Sequence, residues 1–153
     1  MSSDAVHRFT VNGQPVEVGD AQPHLLAALR DELGVVSPKD GCSPSGQCGC
    51  CTVLLDGKAV VSCQVGLDRA EGKEVTTLEG LPAEERDRYA SAFAATGALQ
   101  CGYCTPGIVV RVKALIRRAG GHASSTLRCG PLELDTLACR FRLDGAQLAL
   151  TAG

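Results

Sequence analysis

Residues 41–51, GCSPSGQCGCC, form the segment around which the rest of the chain must be arranged. Four cysteines stand in a stretch that has neither a helical nor a strand period, so we expect a loop. Three of them, with one cysteine from a nearby strand, supply the four thiolates that a [2Fe–2S] cluster takes. Glycines in the loop allow unusual backbone dihedrals and let N–H groups point at the sulfurs. The ligands that this spacing predicts are Cys42, Cys48, Cys51 and Cys63.

The spacing of these cysteines is close to the ferredoxin pattern but one residue longer. Plant-type ferredoxins space their first three ligands as C-x4-C-x2-C, whereas this loop reads C-x5-C-x2-C. A bulge at Ser43-Pro44-Ser45 would absorb the extra residue. Cys50 lies between two of the predicted ligands, and we expect it to turn away from the cluster and to act as a small buried residue.

A second group of cysteines lies in the other half of the chain. Cys101 and Cys104 belong to the segment QCGYCTPG, and Cys129 and Cys139 follow further on. C-x2-C pairs also build structural zinc sites, and buried thiols without a metal are a further alternative. A zinc ribbon usually takes two similar pairs, whereas one loop supplies three cysteines in this chain, which favours iron and sulfide.

The composition limits the compartment and the class of partner. Of the 153 residues, 18 are glycine and 9 are cysteine, and aromatic residues make up 3%, so a small core needs another source of stability. A net charge of −2 leaves no basic stripe for nucleic acid. No apolar run is long enough for a membrane span, and the first eight residues do not resemble a secretory signal. An odd number of cysteines cannot all form disulfides, so we expect a cytoplasmic protein with reduced thiols.

The hydrophobic pattern predicts a mixed sheet with one helix, followed by a helical region. Residues 7–18 alternate around an Asn-Gly pair and predict a hairpin, and residues 52–63 predict a second hairpin around an Asp-Gly pair. Residues 23–34 have helical spacing, and residues 73–78 predict a short closing strand. The segment Glu79-Gly80-Leu81-Pro82 is the best candidate for a domain boundary.

Beyond that boundary the pattern becomes helical. Residues 83–97 predict one helix and residues 105–118 another, the second with Thr-Pro at its start and two arginines near its end. The fold class predicted is therefore α+β, with two domains at residues 1–79 and 80–153.

Three segments occur in an order that resembles the small subunit of the xanthine oxidase family of molybdenum hydroxylases: GCSPSGQCGCCTVLLDGKAVVSC, VTTLEGL and ALQCGYCTPGIVV. That family includes bacterial xanthine dehydrogenases, aerobic carbon monoxide dehydrogenases and aldehyde oxidoreductases. The resemblance runs from about Phe9 to Arg118. It implies an N-terminal β-grasp, ferredoxin-like domain with one [2Fe–2S] cluster and a C-terminal four-helix-bundle-like domain with another.

The resemblance also implies a function and partners. Cys101 and Cys104 begin the ligand set of the second cluster, and Gln100 stands where family members place a glutamine that hydrogen-bonds the molybdopterin. Electrons would pass from a large molybdopterin-binding subunit through both clusters to FAD on a medium subunit. This chain would bind no substrate, and it has no Walker loop or G-x-G-x-x-G motif for a nucleotide or flavin of its own. The alternatives are a structural zinc-binding adaptor and a free-standing ferredoxin.

The C-terminal segment departs from the family pattern. The family closes its second cluster with a C-x-C step, but the segment LACRFRLDG places Phe141 where the last cysteine belongs. Because Phe141 cannot bind iron, Cys139 and Cys129 are the remaining candidate ligands, and the second cluster is incomplete unless another donor fills the position. From Gly120 onward the helical pattern dissolves, which either true divergence or a frameshift in the gene would explain.

Overall fold

The computed structural model describes four stretches of the chain, residues 6–120, 126–129, 132–135 and 140–147. The chain divides into two compact units, Met1–Val112 and Lys113–Gly153. The domain boundary predicted at residues 79–80 lies inside the first of these units, and it stays a prediction.

A five-stranded mixed sheet is the frame of the first unit. Its strands are β1 Val6–Val11, β2 Gln14–Gly19, β3 Thr52–Leu55, β4 Lys58–Val61 and β5 Glu74–Thr76. They lie in the order β2-β1-β5-β3-β4, and only the β1–β5 pair is parallel among these five strands. Both predicted hairpins are confirmed: Asn12-Gly13 and Asp56-Gly57 take positive φ, as tight two-residue turns require.

One short helical segment packs on this sheet. Helix α1, Leu25–Ala27, continues as a π-helical turn over Ala28–Glu32, and the next glycine takes positive φ. The predicted helix over residues 23–34 is therefore confirmed in position but is shorter, because the His24 side chain caps it by accepting from the Ala27 N–H. The buried core that the segment shares with the sheet consists of Phe9, Val11, Val18, Leu25, Ala28, Leu29, Val53, Leu55, Val65, Leu67, Ala70 and Val75.

A 3₁₀ turn, Ser62–Gln64, and three α-helices of the described residues follow the second hairpin. A single turn, α2 Leu67–Ala70, precedes β5, and the two predicted longer helices are present as α3 Ala83–Ala95 and α4 Thr105–Gly120. Helix α3 buries no residue of its own, whereas α4 buries Val109 and Val110 in its first half. Among the helices that the structure describes, none is long and apolar enough to cross a membrane.

Beyond Gly120, where the sequence analysis expects the helical pattern of the second domain to dissolve, the described residues form strands. The described residues form a four-stranded antiparallel sheet in the order β6-β7-β8-β9. Its strands are β6 Thr126–Cys129, β7 Leu132–Asp135, β8 Arg140–Leu143 and β9 Ala146–Gln147. Apolar and polar residues alternate in LELD and RFRL, and Asp144-Gly145 has the positive φ of a hairpin turn. Period-two alternation with an Asp-Gly turn favours strands, so the signal was in the sequence.

Candidate metal centre

The four cysteines predicted from the loop spacing stand as two neighbouring pairs. The thiols of Cys42 and Cys48 are within hydrogen-bonding reach of each other, and so are those of Cys51 and Cys63. The first pair lies in the irregular segment between α1 and β3. The second pair forms because Cys51 precedes β3 and Cys63 follows β4, so the antiparallel hairpin brings its two ends together.

This pairing is what a two-iron cluster needs. Each iron of a [2Fe–2S] cluster with four cysteine ligands takes two protein thiolates. Within the part of the chain that the structure describes, no three histidine, cysteine, aspartate or glutamate side chains form a site for one metal ion.

Hydrogen-bond donors surround the sulfur of Cys42. The Ser45 hydroxyl and the backbone N–H groups of Cys48 and Gln47 donate to it and lower the pKa of Cys42 to about 6, although desolvation acts in the opposite direction. The thiolate, not the thiol, binds metal. The loop therefore presents a charged sulfur at neutral pH before any metal arrives.

The second pair is buried. Cys51 is fully buried, Cys63 is 4% exposed, and Leu26 of α1 packs with both. Burial raises the pKa of Cys63 to about 11, and the Cys51 thiol adds to the rise, while donors from Gln64 and Gly46 oppose it. Metal binding at this pair must displace a proton, after which the apolar surroundings keep water away.

Two glycines in the loop leave space that no other residue would leave. A Cβ built on Gly41 would lie 3.1 Å from the Sγ atoms of both Cys48 and Cys50. Gly46 has a φ of +77°, and its Cβ would lie 2.7 Å from the Gln64 Cγ. The close backbone, the N–H donors and the four cysteine sulfurs together fit an iron–sulfur cluster.

The extra residue of the C-x5-C spacing is accommodated in a turn at the predicted bulge. Ser43 takes a φ of 52°, and its N–H donates to the Asp40 carboxylate over 2.8 Å. The Gln64 side chain donates to the Pro44 carbonyl over 2.9 Å. The longer loop is thus held at Ser43 and at Pro44 of the bulge.

Cys50 is buried, at 7% exposure, as the sequence predicts. Its thiol contacts that of Cys48, and its orientation away from a bound cluster stays a prediction. Burial raises the pKa of Cys50 to about 11, and the nearby sulfurs of Cys48 and Cys104 raise it further. Cys51 points into the core beside Cys63. Cys50, the residue before it, lies beside Gly41.

The second group of predicted site residues is only partly assembled in what the structure describes. Gln100, Cys101 and Cys104 are exposed and precede α4. The structure describes the backbone of Cys129 in β6, paired with Leu132. Cys139 lies outside the described residues. The Phe141 backbone is in β8, opposite Leu134.

Several residues of the site were not identified from sequence. Ser45 and Gln64 donate to cysteine sulfurs or hold the loop, and Tyr103 donates to a carbonyl of that loop. Gln64 carried a usable signal, because a polar residue directly after a predicted ligand is well placed to donate to it. No comparable local signal marked Tyr103, since its partner lies 63 residues away.

Family models cover most of the chain. A 2Fe-2S iron–sulfur cluster binding domain matches residues 9–81, and a [2Fe-2S] binding domain matches residues 77–140. The two models therefore meet close to the predicted boundary.

Individual relatives agree with these models. The chain is 40% identical over 146 residues to a probable xanthine dehydrogenase subunit of Bacillus subtilis, covering 88% of this chain and 84% of that protein. It is 41% identical over 110 residues to the xanthine dehydrogenase iron–sulfur-binding subunit of Escherichia coli O157:H7, covering 71% and 69%.

Among solved structures, quinoline 2-oxidoreductase from Pseudomonas putida 86 superposes with a TM-score of 0.68 at 34% identity, over 76% of this chain and 73% of that one. The mixed sheet with helices therefore matches the ferredoxin-like fold found in such proteins. The identity to long stretches of these subunits, together with both family models, decides the family. The chain belongs to the iron–sulfur subunits of xanthine dehydrogenase and related molybdenum hydroxylases.

Proposed function

We propose that this chain is the electron-transfer subunit of a molybdenum hydroxylase and that it holds a [2Fe–2S] cluster on Cys42, Cys48, Cys51 and Cys63. The observation that carries the proposal is the arrangement of these thiols as two pairs. A structural zinc ion would take four ligands around one point, whereas two pairs match two irons.

The protein contributes charge stabilisation and shielding at this site. A bound cluster supplies one-electron redox chemistry. Donors to Cys42 from Ser45 and from backbone N–H groups stabilise negative charge on sulfur, which favours the reduced state and raises the reduction potential. Leu26 and the hairpin exclude water from the buried pair, which limits how much the solvent stabilises the same charge.

A second [2Fe–2S] cluster is proposed at Cys101 and Cys104. Cys139 and Cys129 are the candidate ligands for the other iron, and Phe141 leaves one expected thiolate missing. Gln100 is exposed, so it is free to contact a molybdopterin on a partner subunit, as the family resemblance implies. These assignments are supported by the family model over residues 77–140.

The wider arrangement follows from family membership. We propose a β-grasp domain over residues 1–79 and a helical domain from residue 80, with the segment after Gly120 divergent from the family's four-helix bundle. The partners are a large molybdopterin-binding subunit and a medium FAD-binding subunit. Electrons pass from the first to the second through this chain, which binds no substrate. Its free thiols suit the reducing cytoplasm.

Metal analysis of the full-length chain, purified without oxygen, tests this proposal. We expect a red-brown protein with iron and acid-labile sulfide and no stoichiometric zinc. Cys63→Ala should lose the iron and sulfide of one cluster, because the hairpin would then offer the second iron only one thiolate. Cys50→Ala is the matched control, since it removes a neighbouring cysteine that is not a proposed ligand. A colourless zinc protein, or equal iron loss in both variants, would refute the assignment.

A further inference from the structure

Within the first unit, the start of α4 lies directly against the loop that carries the first cysteines. A Cβ built on Gly107 would lie 2.5 Å from the Gly49 carbonyl oxygen and 2.9 Å from that of Cys50. It would also lie 3.0 Å from the Cys50 carbonyl carbon. Any side chain at this position must therefore push two backbone segments apart, because neither obstacle is a flexible side-chain end.

The loop cannot yield easily at this contact, because its carbonyls are already bound. The Gly49 carbonyl accepts from the Thr52 N–H over 3.1 Å and from the Thr52 hydroxyl over 2.7 Å. The Cys50 carbonyl accepts from the Lys39 N–H over 3.1 Å. A displacement that relieved a clash with Gly107 would break these bonds or move the helix start instead.

A second contact joins the same two segments. The Tyr103 hydroxyl donates to the Asp40 carbonyl over 2.7 Å. Tyr103 stands between Cys101 and Cys104, and Asp40 stands two residues before Cys42, so this bond ties one cysteine group to the other. The Asp40 carboxylate also accepts from the Ser43 N–H in the bulge, which fixes the acceptor within the loop.

We propose that Gly107 and Tyr103 are positioning residues that set the distance between the two cysteine groups, and thereby the rate of electron transfer between the two iron–sulfur centres. This inference rests on the proposed function, because it needs both centres. The rate of electron tunnelling between fixed centres falls steeply with their separation. A contact that is closer than any side chain would permit therefore increases the rate of electron transfer between the two centres. Gly107 follows Cys104 by three residues and lies against the backbone of Gly49 and Cys50, so the two cysteine groups meet at this contact.

The test compares Gly107→Ala and Tyr103→Phe in the enzyme complex with the unmutated protein. Gly19→Ala is the matched control, because a Cβ there meets nothing within 4 Å and its φ is not in the left-handed region. Iron and sulfide per chain are measured first. The magnetic splitting between the two reduced centres is then read by electron paramagnetic resonance, and the electron-transfer rate between them by rapid mixing.

We expect Gly107→Ala to retain iron and sulfide while the splitting weakens and transfer slows several-fold, since the helix start must retreat from 2.5 Å to an ordinary contact of at least 3.4 Å. Tyr103→Phe should produce a smaller change in the same direction. If the splitting and the rate in Gly107→Ala equal those in Gly19→Ala, this inference is wrong, whereas the proposed function is unaffected. If Gly107→Ala loses a cluster, an unchanged splitting in Tyr103→Phe overturns it. Iron for one cluster only in the unmutated complex would refute the two-centre function and this inference with it.

Discussion

Glu79 provides the sharpest test of how the fold around the site is held. Its carboxylate accepts from the Ser37 N–H over 3.0 Å and from the hydroxyls of Ser37 and Thr77. Burial alone would raise the pKa of Glu79, but these donors outweigh it and hold the pKa below its usual value. Because Ser37 lies just before the cysteine loop and Thr77 follows β5, this carboxylate joins the loop's entry to the end of the sheet.

The perturbation is Glu79→Gln, which keeps the shape and removes the charge. A hydrogen bond to a charged group contributes about 1.5–3 kcal/mol, but part of this carboxylate is exposed and is screened by water. The glutamine retains one acceptor oxygen for two hydroxyls and turns an NH₂ group toward the Ser37 N–H. Because of this screening, we expect a loss of about 1–2 kcal/mol in the free energy of unfolding at pH 7.

The lowered pKa of Glu79 determines how its contribution to stability changes with pH. Since the folded pKa of Glu79 is lowered from 4.5, its contribution is fully present above the unfolded pKa and is lost as pH falls through the folded pKa. The stability gap between the unmutated chain and Glu79→Gln should therefore be constant near neutral pH and should shrink below about pH 4.5.

Urea unfolding of the full-length chain, followed by circular dichroism under reducing conditions, measures this gap. Glu84→Gln in the first turn of α3 is the matched control, because it makes the same chemical change in an exposed carboxylate. Equal destabilisation by both substitutions, or a gap that stays constant on acidification, would show that the hydrogen bonds to Glu79 do not stabilise the fold.

Core burial, the loop thiolate and a surface histidine each give a further testable outcome. Leu29→Ala should cost about 2–5 kcal/mol by urea unfolding, because the side chain is fully buried, whereas Val36→Ala at an exposed site should cost little, and similar costs would contradict the core assignment. Ser45→Ala should raise the pKa of Cys42 and slow its alkylation at pH 7 in the metal-free chain, since the Ser45 hydroxyl is the largest cause of the lowered value; an unchanged alkylation rate would contradict this. Asp20→Asn should reduce stability below pH 6.5 more than above it: the hydrogen bond from His7 to Asp20 raises the imidazole pKa, so the stabilisation is present at low pH and is lost as pH rises through the folded pKa. The same stability difference at pH 5 and pH 9 would exclude that role for the pair.

Local sequence patterns predicted most of the secondary structure of the N-terminal half. Asn12-Gly13 and Asp56-Gly57 predicted their hairpins because few residue pairs tolerate positive φ at both positions. The leucine spacing predicted the helical segment, and the cysteine spacing predicted the ligand set Cys42, Cys48, Cys51 and Cys63, although not its division into two pairs. The contacts of Tyr103 and Gly107 could not be predicted, because each depends on a segment distant in sequence and on a backbone distance that no residue pattern encodes.

The C-terminal segment shows why a family resemblance must yield to the local pattern. The motifs that carry the resemblance in the sequence end near Arg118, whereas the family model of the [2Fe-2S] binding domain extends to residue 140. In the described residues, LELD and RFRL have a period of two, and β8 is paired on both sides, by β7 and by β9. The Phe141 backbone is therefore part of a strand that has a neighbouring strand on each side. The missing thiolate at position 141 therefore falls in the same segment in which the helical pattern of the sequence gives way to a period of two.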